Sequence, residues 1–120
     1  MYTILVVDDA FFMRKMVQTH LNKAGYDTFV EAEDGAQAVA MYQEKKPDLV
    51  IMDITMPNMD GIEALRQIKT NDPAAKIVMC SAMGQESMVM EAIKLGALDF
   101  IVKPFKQERI VQTVSKVLPL

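Results

Sequence analysis

Five polar residues each follow a short apolar run: Asp8 and Asp9 after residues 4–7, Asp53 after 49–52, Ser81 after 77–80, and Lys103 after 100–102. Three carboxylates, a hydroxyl and an ammonium make a coherent chemical set if the fold brings them together. Standard ionisation states give such a set a formal charge of about −2. Clustered like charges repel, and a pKa rises unless a cation neutralises them. Mg²⁺ suits that role, because it takes one or two carboxylates and keeps waters that phosphate oxygens can replace. An aspartate beside Mg²⁺, a lysine and a hydroxyl is a candidate nucleophile for phosphoryl transfer, and its product is an aspartyl phosphate. Singly, each residue has an ordinary reading. An Asp after a strand is most often a cap or turn residue. Ser81 alone reads as a loop residue, and Lys103 alone as a solvated surface lysine. Their convergence favours the chemical reading.

The elements that must position them are legible as alternating patterns. Apolar runs at 4–7, 28–30, 49–52, 77–80 and 100–102 alternate with helical periods. Four of the runs are continuously apolar, as in strands covered on both faces. The run at 28–30 is weaker and followed by charge, which places it at a sheet edge. Met13, Met16, Val17, Leu21 and Ala24 repeat at three- and four-residue steps up to a stop at Gly25. Asp34 caps a second helix through Ala38, Val39 and Tyr42, which ends before Pro47. Asp60 caps a third through Ile62, Leu65 and Ile68, which ends near Asp72 and Pro73. A fourth carries Val89, Ala92 and Ile93 and stops at Gly96. The last follows Pro104 with Ile110, Val111, Val114, Val117 and Leu118. Strict alternation implies an α/β fold with a parallel sheet and right-handed crossovers. Such sheets bind ligands beyond the carboxyl ends of their strands, so the polar residues should share one pole.

Composition narrows the alternatives. The chain has 120 residues, 51% hydrophobic and 24% charged, which fits one domain over 1–120 with a real core. Disorder, a collagen-like fibre and a disulfide scaffold are excluded. A net charge of −3 gives no general attraction to nucleic acid. No apolar run approaches the roughly 18–20 residues that span a bilayer, and the start lacks a basic signal-peptide region. A cytoplasmic protein is expected. His20 and Cys80 lie on different elements and make no zinc set. His20 reads as a packing or partly exposed residue, and Cys80 as a small buried hydrophobe. No GxxxxGK[ST] or GxGxxG loop is present. Among eleven methionines, Met16 and Met52 fit core positions. Met88 and Met90 lie about 200° apart around a helix, so one should be on the surface, where a thioether suits partner binding.

The segments Asp8-Asp9, Asp53-Ile54-Thr55-Met56-Pro57-Asn58-Met59-Asp60-Gly61, Ser81-Ala82 and Lys103-Pro104-Phe105 together resemble the receiver domain of two-component response regulators. The resemblance covers essentially the whole chain. Residues 8–14, 81–85 and 96–105 are similar to the chemotaxis (CheY) type within that family. The resemblance implies a doubly wound, flavodoxin-like fold with five helices and a five-stranded parallel sheet in the order 2-1-3-4-5. It implies that Asp53 is the phosphoacceptor and Asp9 a direct Mg²⁺ ligand. Asp8 would reach the metal through water, and the Thr55 backbone carbonyl would be a further ligand. Ser81 and Lys103 would hold phosphoryl oxygens, with a cis Lys103–Pro104 bond. Thr55 and Met83 would flank the path of the attacking water and set the phosphoryl lifetime.

The same resemblance implies a CheA-like histidine kinase as phosphodonor. It places an output surface on the fourth helix, fifth strand and fifth helix, with Met90, Lys94, Phe100 and Lys106 as candidates. The partner would be a flagellar motor switch protein or a phosphatase. The chain would act as a monomer, without nucleic acid or membrane, and would promote only its own phosphorylation and dephosphorylation. Two departures stand out: Ser81 where the family often has Thr, and Phe100 where it often has Tyr. Phe100 therefore has two readings, a core aromatic or a rotating switch. The alternatives are a phosphorelay intermediate, a receiver fragment of a longer regulator, and a Mg²⁺-dependent phosphatase of the haloacid-dehalogenase type. The last ranks low, since Asp8 and Asp9 are adjacent rather than DxD and the nucleophile follows the third strand.

Overall fold

A computed structural model describes residues Met1–Leu120. The strands are β1 (Thr3–Val7), β2 (Thr28–Ala32), β3 (Leu49–Asp53), β4 (Ile77–Ser81) and β5 (Asp99–Val102). The helices between and after them are α1 (Phe11–Lys23), α2 (Gly35–Lys45), α3 (Gly61–Asn71), α4 (Glu86–Lys94) and α5 (Gln107–Val117). All strand pairs are parallel, in the order β2-β1-β3-β4-β5. The doubly wound sheet expected from the sequence is present.

Strand periodicity explains why the apolar runs are continuous. Successive side chains leave a strand on opposite faces. Leu5 and Val7 join a core beneath α2, α3 and α4, while Ile4 and Val6 join a second core beneath α1 and α5. Both faces of β1, β3 and β4 are therefore dry. β2 lies at an edge, as its weak pattern implied. β5 forms the other edge, which its apolar run did not signal; Val102 there is exposed.

The helix starts follow the sequence closely. Asp34 accepts the Gln37 N–H at 2.8 Å, and Asp60 accepts the Glu63 N–H at 2.9 Å. Burial corrects three expectations. Met88 is 37% exposed and Met90 60%, so both are on the surface rather than one. Val89 and Ala92 hold the core side of α4, which leaves the methionines on its two flanks. Ile93 is likewise 42% exposed, although its spacing put it on the buried stripe. Met16 is only half-buried, whereas Met52 is fully enclosed. No helix is long and apolar enough to cross a membrane.

Register sets the functional pole. Val7 pairs with Met52, Asp53 with Cys80, and Ser81 with Val102. The residues immediately after β1 and β5, and the last residues of β3 and β4, therefore stand at similar height. The Lys103–Pro104 peptide there is cis, as the resemblance implied.

Gly61 holds the return from β3 into α3. Its N–H donates to the Ile54 carbonyl at 2.7 Å, and a Cβ at this position would overlap the Asp53 backbone oxygen. Gly61→Ala must therefore push the end of β3 out of place. We expect a loss of about 1–3 kcal/mol, typical of an overpacked site. A lower urea midpoint checks it, and an unchanged midpoint would show that the loop gives way freely.

Candidate functional site

Carboxylate oxygens of Asp8, Asp9 and Asp53 lie within 4.8 Å of one another at the carboxyl pole of the sheet. Lys103 Nζ lies 2.9 Å from Asp8 Oδ2 and 3.1 Å from Asp53 Oδ2. One ammonium thus serves two carboxylates, and the third has none.

Asp8 is fixed on every side. Its backbone N–H donates to the Ala32 carbonyl at 3.2 Å, tying it to β2. Its Oδ1 accepts the Ala10 N–H at 2.9 Å, and its carbonyl accepts from Arg14 Nη1 at 2.8 Å. Asp9 next to it is exposed. The pair therefore divides into one anchored, buried carboxylate and one facing solvent at the rim. Lys103 is positioned as firmly, since its backbone N–H donates to the Ser81 carbonyl at 2.7 Å. Ser81 is buried at the end of β4.

Charge and burial oppose one another here. Burial pushes the Asp53 carboxyl above its ordinary value, and the negative charge of Asp8 adds to this. Lys103 pulls in the other direction, but it is shared with Asp8 and does not win. Burial also disfavours the charge of Lys103. The hydrogen bond to Asp8 and the charge of Asp53 outweigh that, so its pKa rises and it stays an ammonium. The site is thus short of positive charge. Its donors are hard carboxylate oxygens with one open flank at Asp9, which is the chemistry a Mg²⁺ ion fits. Cys80 takes no part: burial pushes its thiol up to about 12.

The remaining sequence-derived residues divide into two groups. Thr55 and Met83 are both exposed, Met83 by 81%. Phe100 is half-buried against the core under α2, α3 and α4. It also lines a cavity of about 380 Å³ that starts at Ser81 and passes Met83, Gln85, Met90 and Ile93. Met90 and Phe100 share this cavity, but Lys94 and Lys106 lie outside it as exposed residues, and Lys106 is the N-cap of α5.

Two residues went unrecognised in the sequence. Arg14 is buried and reaches Glu31 at 2.7 Å as well as Asp8. Glu31 also bonds Lys15 at 2.7 Å, and these partners, Lys15 foremost, hold its carboxyl down to about 2. The available signal was spacing, because Arg14, Val17 and Leu21 form one helical stripe and a charge on it needs a buried partner. Gln85, which bridges the two loops beside Asp53, had no such signal.

Residues 4–115 match the family described as "Response regulator receiver domain". The chain is 58% identical to the chemotaxis protein CheY of Bacillus subtilis over 117 residues, covering 98% of each chain. It is 57% identical to the chemotaxis protein CheY of Thermotoga maritima over 114 residues, covering 95% of each. Among solved structures it resembles a CheX–CheY–BeF₃–Mg²⁺ complex from Borrelia burgdorferi. That match has TM-score 0.92 and 36% identity, and covers 99% of this chain and 90% of the other.

The raised pKa of Asp53 has a consequence for stability. A carboxyl whose folded pKa lies above its unfolded value lowers stability once pH exceeds both. Asp53→Asn should therefore raise the thermal midpoint at neutral pH. The gain should shrink as pH falls through the raised folded value and vanish below the ordinary carboxylate range. Midpoints measured across pH check this; a gain that persists in acid would point to packing rather than charge.

Proposed function

The chain belongs to the response regulator receiver domain family, and we propose on that premise that Asp53 takes a phosphoryl group from a histidine kinase and so controls a partner-binding face. The observation that carries this reading is the Asp8–Lys103–Asp53 ion-pair chain with Asp9 beside it at the sheet pole. In the transfer, an Asp53 oxygen attacks the phosphorus of a phosphohistidine. A P–O bond forms, the P–N bond breaks, and the imidazole leaves with the bonding pair and takes up a proton. Asp9, Asp53 and the Thr55 carbonyl would hold Mg²⁺, with Asp8 acting through water. The bound ion supplies positive charge to the transferring oxygens. Lys103 exchanges a carboxylate contact for a phosphoryl oxygen, and the Ser81 hydroxyl takes another.

Output follows from the cavity that begins at Ser81. When Ser81 moves toward the phosphoryl group, space opens and the Phe100 ring turns inward. The surface formed by α4, β5 and α5 then changes shape, and a partner that prefers it shifts the population. The names of the relatives support chemotaxis, and for this chain we take a CheA-like kinase as donor and a flagellar motor switch protein or a phosphatase as reader. The Borrelia burgdorferi complex shows a related chain bound to a protein together with BeF₃ and Mg²⁺. A net charge of −3 accords with protein rather than nucleic-acid partners. We read the protein as a cytoplasmic monomer that promotes only its own phosphorylation and dephosphorylation.

Incubation with acetyl phosphate and Mg²⁺ should add one phosphoryl group to the wild type and none to Asp53→Asn. The same mass increase in Asp53→Asn overturns the assignment. Mg²⁺ titration should show Asp9→Ala weaker than Asp8→Ala, because only the first removes a direct ligand. Equal affinities would contradict that division.

Met83 provides an independent check on the mouth of the site. Its thioether cannot orient water strongly. Met83→Glu should hasten loss of the phosphoryl group by about two- to tenfold, the worth of one added hydrogen bond. A half-life that is unchanged or longer counts against this role.

A further inference from the structure

Gln85 is the N-cap residue of α4, yet its side chain makes no capping bond to that helix. It turns back instead. Its Oε1 accepts the Ala82 N–H at 2.6 Å, and its Nε2 donates to Thr55 Oγ1 at 2.9 Å. The same nitrogen lies 3.7 Å from Met88 Sδ. The amide orientation is fixed, because a backbone N–H can only donate, so oxygen must face Ala82. A single side chain thus ties the loop after β3 to the loop after β4.

The register shows what this tie obstructs. Asp53 pairs with Cys80, so Ser81 and Ala82 stand one and two residues beyond it, at about 3.3 Å per residue. A phosphoryl group on Asp53 extends outward toward that level and carries three acceptor oxygens. The first backbone N–H beyond Ser81 belongs to Ala82, and Gln85 already occupies it. Gln85 also lines the cavity shared by Met90 and Phe100. It therefore touches both the phosphorylation site and the output face.

We propose that Gln85 is a positioning residue that latches the unphosphorylated site, holding the Ala82 N–H until a phosphoryl oxygen displaces it. Displacement frees the start of α4 and the Met88 contact together. The latch opposes the phosphorylated state without contacting a metal-ligating atom, because it meets Thr55 at Oγ1 and not at the backbone carbonyl. This inference rests on Asp53 being the phosphoacceptor.

Beryllofluoride, a phosphoryl mimic, tests it with the intact chain. Mg²⁺ alone and Mg²⁺ with beryllofluoride are titrated calorimetrically into wild type, Gln85→Met, Thr55→Val and the double variant. Gln85→Met should bind beryllofluoride about three- to tenfold more tightly, the worth of one net hydrogen bond, with Mg²⁺ affinity unchanged. Thr55→Val should shift it less in the same direction, because the Ala82 contact survives. The double variant should match Gln85→Met alone, as expected of residues in one network. Amide exchange at Ala82 should quicken in Gln85→Met, a local readout that a general loss of stability would not single out. Unchanged or weaker beryllofluoride binding by Gln85→Met overturns the latch, as does an equal change in Mg²⁺ affinity. Failure of the wild type to bind beryllofluoride with Mg²⁺ would instead remove the reading of Asp53, and the latch with it.

Discussion

One ammonium shared between two carboxylates organises this molecule. Lys103 Nζ sits 2.9 Å from Asp8 and 3.1 Å from Asp53. Those residues come from the ends of β5, β1 and β3, which the parallel sheet brings to one pole. The arrangement works against itself in part, because burying charge is unfavourable and the lysine cannot fully compensate both partners. The fold sustains it with backbone restraints. Arg14 holds the Asp8 carbonyl, the Ser81 carbonyl holds the Lys103 N–H, and Gly61 lets α3 approach the end of β3. A site built this way keeps an unmet demand for positive charge beside Asp53, a condition that suits the phosphoryl transfer proposed there.

How far the sequence disclosed this depends on the range of the physics involved. Asp34 and Asp60 were readable as caps because capping is local, reaching only three residues along the chain. The β1, β3 and β4 runs were readable because burial on both faces forces continuous apolarity. Asp8, Asp53, Ser81 and Lys103 were readable as one set because each follows an apolar run, and the topology does the rest. The roles proposed for Thr55 and Met83, and the division of metal roles among the aspartates, rest on family resemblance alone, since no spacing assigns a backbone carbonyl to a cation.

What was not legible depends on pairings distant in sequence. Spacing puts Arg14 on the buried stripe of α1, but only the fold shows that its partners are Glu31 and the Asp8 carbonyl. Met88, Met90 and Ile93 have helical spacing that admits several faces, and α4 chooses by packing only Val89 and Ala92 inward. The narrow contact of α4 with the core leaves more of its apolar surface exposed than its composition suggests. β5 hid its edge position for a related reason: Ile101 is fully buried although Val102 beside it is open.

That shallow seating of α4 suits the output role proposed for it. A helix held by many buried side chains would resist a shift at its N-terminus. Here the start of α4 is restrained by Gln85, which bonds Ala82 and Thr55 in the two loops and touches Met88 of the helix without capping its backbone. The cavity between α4 and β5 gives the Phe100 ring space to occupy without distorting the sheet. A small displacement of Ser81 and Ala82 can therefore be transmitted as a rearrangement of side chains, while the five strands beneath remain packed on both faces. The rigid sheet fixes where charge accumulates, and on the proposed reading the lightly anchored helix beside it would convert a change in that charge into a change of surface.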